Sequence, residues 1–111
     1  MIVSDNVNML KAIDRRVSEE YMLRQLAEEC AELAQAALKL IRAVNHETPM
    51  SELEARLHFI EEMADVSVMW DWAYWCFFDQ TDALFCDDTQ RNKLDRMADR
   101  ILRAKGGTKD E

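Results

Sequence analysis

From Glu19 to Val44 the chain carries neither glycine nor proline and is built mainly of Leu, Ala, Glu, Gln and Lys, all strong helix formers. Apolar side chains recur at Met22, Leu26, Leu33, Ala37, Leu40 and Val44, which holds a helical period throughout. A helix this long must bury its apolar stripe against other helices, so the stretch points to a bundle. One member of the row does not belong. Glu29 falls where an apolar residue is expected, and a carboxylate in such a seam is costly unless something pairs with it.

The rest of the chain supports an all-α reading. It holds only 2 Gly and 1 Pro, too little punctuation for hairpins. Residues 5 to 16 read as a first short helix with Asp5 as N-cap and Val7, Leu10, Ile13 and Val17 as its apolar stripe. Ser18 before Glu19 and Glu20 marks a fresh start. Asn45 to Met50 is a loop containing Pro49. Ser51 and Glu54 then form a capping box for a third helix over about 51–78. Its first half points Leu53, Leu57 and Ile60 inward. Its second half, Val66 to Phe78, is apolar nearly all round, as in a helix buried on several sides. In so small a chain that burial calls for a second subunit, and an aromatic wall of a ligand pocket is the other use. Residues 79–87 read as a connection and 88–104 as a fourth helix, with Leu94, Met97 and Ile101. Residues 106–111 read as a frayed tail. The expectation is one all-α, four-helix-bundle-like domain over 1–105, oligomeric.

Totals exclude several functions. A formal net charge of −8 argues against a nucleic-acid binder, which needs a basic face. An acidic protein binds polyphosphate when metal ions reverse the local field. Cys30, Cys76 and Cys86 form no C-x-x-C pair, as expected of reduced thiols inside a cell. The N-terminus lacks the basic start and apolar run of a signal peptide. Val66 to Phe78 is too short to span a bilayer and contains Asp71. A soluble, cytoplasmic protein is expected, with no membrane partner.

Two acidic clusters carry the chemistry: Glu28-Glu29-x-x-Glu32 and Glu61-Glu62-x-x-Asp65. Residues three apart share a helix face, so Glu29 with Glu32, and Glu62 with Asp65, each present two carboxylates sideways. Either cluster alone is an ordinary solvated face. Together they sit mid-helix on two helices joined by a short loop, which makes those helices antiparallel neighbours. Counted outward from Glu47, Glu32 matches Glu62 and Glu29 matches Asp65, so the four carboxylates should converge. Converging carboxylates with no His or Cys in either repeat favour a hard cation, Mg²⁺ or Mn²⁺. Di-iron bundles use Glu-x-x-His pairs, which neither His46 nor His58 completes.

These residues resemble the signature of the MazG-like all-α nucleoside triphosphate pyrophosphohydrolases, a superfamily that includes dimeric dUTPases and phosphoribosyl-ATP pyrophosphatases. Gln25-Leu26-Ala27 before the first cluster, Glu32-Leu33 within it and Glu62-Met63-Ala64-Asp65-Val66 at the second carry the likeness, which covers most of residues 10–104. The resemblance implies Mg²⁺-dependent cleavage between the α- and β-phosphates of a (d)NTP, giving a monophosphate and pyrophosphate, with clearing of unwanted nucleotides as the role. It implies Glu29, Glu32, Glu62 and Asp65 as metal ligands. Glu28 and Glu61 stand beside them as groups to orient or deprotonate the attacking water. Lys39, two turns beyond Glu32 on the same face, is the candidate phosphate contact on the second helix. Lys93 and Arg100, seven apart, look like the family's late K-x6-R element, although Met97 stands where relatives commonly carry asparagine. Phe59 and Trp72 are the aromatic candidates for the base. A homo-oligomer, dimer or tetramer, is expected. The alternatives are a phosphoribosyl-ATP pyrophosphatase or dUTPase within the enzyme class, and outside it a non-catalytic helical module for oligomerisation or for metal or partner binding.

Overall fold

The computed structural model describes residues 4–103. Four α-helices follow one another, α1 (Ser4–Asp14), α2 (Glu19–Val44), α3 (Glu52–Trp72) and α4 (Gln80–Ile101), and a π-helical turn (Ala73–Phe77) extends α3. There is no strand among the described residues, and no helix is long and apolar enough to cross a membrane. The chain divides into two compact units, Met1–Phe77 and Phe78–Glu111. The expected tail at 106–111 lies outside the described residues.

Local chemistry sets most of the boundaries. Ser18 caps α2, its Oγ accepting from the Tyr21 N–H at 3.0 Å. Ser51 caps α3 in the same way, accepting from the Glu54 N–H at 3.0 Å. The end of α2 is a Schellman closure: the Glu47 N–H reaches the Arg42 carbonyl at 2.8 Å and the His46 N–H reaches Ala43 at 3.1 Å. His46 occupies the left-handed position there, with φ 59°. At the other end of the chain's first unit, α1 begins at Ser4, which places Asp5 inside the helix and not at its cap.

The core of the first unit is Leu10, Met22, Ala36, Ala43, Ala55, Met69, Trp72 and Ala73. Half of these are alanines, which let helix backbones approach closely. On α2 the buried side chains are Met22, Ala36 and Ala43, and Glu29 completes the row at steps of seven. On α3 the buried Ala55 and Met69 flank Glu62 at the same steps. A repeat of seven is the spacing of helices that coil about each other. In each row a glutamate stands between buried apolar layers: Glu29 between Met22 and Ala36 on α2, and Glu62 between Ala55 and Met69 on α3.

Three expectations change. Leu53, Leu57 and Ile60 point outward and are at least half exposed, because the face of α3 that meets α2 is the one holding Ala55, Glu62 and Met69. Val44 is also exposed, with Ala43 buried in its place. Residues 80–87, read as a connection, are the first two turns of α4. Asp79 and Asp82 form a reciprocal capping box: the Asp82 N–H donates to Asp79 Oδ1 at 2.8 Å and the Asp79 N–H to Asp82 Oδ2 at 3.0 Å. An all-aspartate box lacks the Ser/Thr and Glu/Gln letters that usually announce a helix start.

The apolar second half of α3 is only partly buried. Met69, Trp72 and Ala73 are inside, whereas Trp70, Trp75 and Phe77 are between 38% and 47% exposed. Trp70 lies off the buried row of α3, and the wide turn over Ala73–Phe77 shifts the helical phase, so that Trp75 and Phe77 do not continue that row.

Candidate functional site

The layer between the two greasy ones is charged. Carboxylate oxygens of Glu29, Glu32 and Glu62 all lie within 4.8 Å of one another. Glu29 and Glu62 are half-buried and Glu32 is exposed. One oxygen of each core-facing glutamate, Glu29 Oε1 and Glu62 Oε1, is buried without any hydrogen-bond partner. A buried polar atom without a partner is uncommon and calls for an explanation.

The electrostatics of Glu29 follow from this placement. Burial pushes its carboxyl above 4.5, and the nearby charges of Asp65, Glu32 and Glu62 push in the same direction. Asp65 is exposed, yet among the charges it is the leading influence on Glu29. The structure therefore brings all four sequence-predicted ligands to one place, three of them tightly and Asp65 alongside. Among the described residues no lysine or arginine makes an ion pair with any of the four.

The basic partner is a histidine that its pattern concealed. His58 Nε2 lies 3.3 Å from Glu62 Oε2, with the Glu62 side chain 13% exposed. His58 precedes Glu62 by four residues, one turn along the same face. A histidine four residues before a glutamate is not the Glu-x-x-His pair of a di-iron site, and its spacing alone does not mark it as a partner of the cluster.

The other candidates are scattered. Glu28 and Glu61 are exposed neighbours of the cluster on α2 and α3. Lys39 is half-buried on α2, about 10 Å along the helix axis from Glu32 at 1.5 Å per residue. Lys93 and Arg100 are exposed on α4, in the second unit, with Met97 between them. Phe59 is half-buried. Trp72 is buried and donates from Nε1 to Asp14 Oδ1 at 2.9 Å, so its polar edge is already engaged within the subunit.

Two cavities within the first unit lie apart from the carboxylates. One of about 290 Å³ is lined by Asp14, Val17, Glu19, Met22, Cys76 and Phe77. The other, about 250 Å³, is an apolar hollow between α1 and Val68. Burial, followed by the Asp14 charge, raises the Cys76 thiol above its usual range, which makes it a poor nucleophile. All three cysteines are free thiols.

Compared with models of known families, with characterised proteins and with solved structures, the chain finds no significant match in any of the three.

Proposed function

We propose that this protein is a divalent-cation-dependent nucleotide pyrophosphohydrolase that splits a (d)NTP into a (d)NMP and pyrophosphate. The observation that carries the reading is the pair of buried, unpartnered oxygens, Glu29 Oε1 and Glu62 Oε1, in a layer where like charges crowd together. A cation satisfies both oxygens and offsets the repulsion that raises the Glu29 carboxyl. The donor set is all oxygen, which suits Mg²⁺ or Mn²⁺. A separation of up to 4.8 Å is close to the roughly 3–4 Å between oxygens of one Mg²⁺ shell, given metal–oxygen bonds of about 2.1 Å. Small side-chain rotations cover the difference.

In this reading Glu29, Glu32, Glu62 and Asp65 hold the cation. When bound, it offsets phosphate charge and lowers the pKa of a coordinated water. Glu28 or Glu61 then serves to orient or deprotonate the water that attacks phosphorus. Lys39 meets phosphate oxygens along α2. The likeness to MazG-like enzymes rests on the two acidic motifs and supplies the site of cleavage. Exposed Trp70, Trp75 and Phe77 favour a homo-oligomer, dimer or tetramer, working in the cytoplasm to clear unwanted nucleotides.

The test is a product assay on a panel of dNTPs and NTPs with Mg²⁺, resolving pyrophosphate from orthophosphate, beside Glu62→Ala. Pyrophosphate and monophosphate, lost in the variant, are expected. Orthophosphate would show that the cleavage position is wrong. A second reading, a non-catalytic helical interaction module, is favoured by the outward Leu53, Leu57 and Ile60. Absence of turnover across the panel would favour it.

A further inference from the structure

We infer that His58 is a positioning residue for Glu62, fixing one carboxylate oxygen so that the other is presented to the cation. The inference rests on the proposed metal-dependent function and deepens it. Three observations meet here. His58 Nε2 stands 3.3 Å from Glu62 Oε2, and the opposite oxygen, Glu62 Oε1, is buried with no partner. The same glutamate has a carboxylate oxygen within 4.8 Å of Glu29 and Glu32. A free carboxylate rotates about its last bond, and its two oxygens exchange places. With the imidazole nitrogen against Oε2 at 3.3 Å, that rotation is restrained.

Partners that orient metal ligands in this way commonly contribute 10–100-fold to metal affinity. Geometry assigns His58 this role and not that of a ligand: the mutually close group contains the three glutamates and not the imidazole. The side chain of His58 is 39% exposed, so replacing it leaves the apolar layers on either side untouched.

The experiment is Mn²⁺ binding to the full chain by calorimetry, for wild type, His58→Gln, His58→Ala, His58→Phe and Glu62→Gln, with folding checked by circular dichroism. Gln retains an N–H donor at similar reach, whereas Ala and Phe carry none. The expected result is a Kd for His58→Gln within about threefold of wild type and a loss of roughly tenfold or more in both His58→Ala and His58→Phe. Equal affinity in all His58 variants, or equal loss in all three, would overturn the positioning role and leave the metal site standing. Failure of wild type itself to bind Mn²⁺ would overturn the metal reading, and the positioning role with it. His58→Ala and His58→Phe differ in bulk, so a packing defect in one does not obscure the donor effect in the other.

Discussion

Trp72 Nε1 donates a hydrogen bond to Asp14 Oδ1 at 2.9 Å across fifty-eight residues of chain. The bond ties the last turn of α1 to the last α-helical residue of α3, immediately before the π turn. It also decides what Trp72 is for. An indole buried to 6% exposure, with its donor engaged by the same subunit, is a strut of the fold.

Trp72→Phe keeps most of the apolar volume and removes the donor. Hydrogen bonds to charged groups contribute about 1.5–3 kcal/mol, and Asp14 is only half-buried, so water replaces part of the loss. The expected destabilisation is about 1–2 kcal/mol in urea unfolding. No change in midpoint would mean that the bond is not formed in solution.

Glu29 should make the metal-free protein sensitive to pH. Its folded carboxyl is held above 4.5 by burial and by Asp65, Glu32 and Glu62, so the folded state binds the proton more tightly than the unfolded chain does. The stabilising contribution is complete below about 4.5 and is lost as pH rises through the raised folded value. In chelator, wild type should melt increasingly below Glu29→Gln as pH climbs from the acid side, and the gap should then level off. A gap that stays constant with pH would show a Glu29 carboxyl titrating at its ordinary value.

His46 offers a change remote from the carboxylates. A non-glycine residue at φ 59° carries a strain of roughly 1 kcal/mol that glycine escapes. His46→Gly should therefore raise stability, by somewhat less than about 1 kcal/mol because glycine also gains freedom in the unfolded chain. Calorimetric melting of the two proteins checks it, and a lower melting temperature in the variant would argue that His46 makes a compensating contact.

The exposed aromatics beyond Trp72 test the oligomer. Light scattering on wild type should give a mass above that of one chain, and Trp75→Glu should reduce it toward the monomer. Trp75 is 47% exposed within the subunit, so the substitution leaves the core intact. A monomeric wild type would remove the proposed interface.

Much of the fold was written locally. Ser18 and Ser51 each announce a helix start through a hydroxyl three residues ahead of an amide, and the loop from Asn45 to Met50 follows from Asn, Thr and Pro. The two acidic motifs were visible as spacings, and so was the misfit at Glu29. The start of α4 was missed because aspartate served in both places of its capping box. The π turn left no signal, since nothing in Ala73–Phe77 forbids an ordinary helix.

The face of α3 is the more instructive case. That helix is apolar on several sides, so periodicity gives its type without giving its direction. Leu53, Leu57 and Ile60 look like a core stripe and are outside, whereas Ala55, Glu62 and Met69 are inside. By itself the sequence determined that the chain is helical, where α2 and α3 begin, and that two carboxylate pairs lie on adjacent helices, because capping, propensity and i+3 spacing act within one turn. The tertiary structure decided that Glu29 and Glu62 share a layer, that two of their oxygens are buried without partners, and that His58 stands behind one of them. Those outcomes depend on the phase at which two helices meet, and close packing of alanines between backbones fixes that phase, not the hydrophobicity of any one stretch.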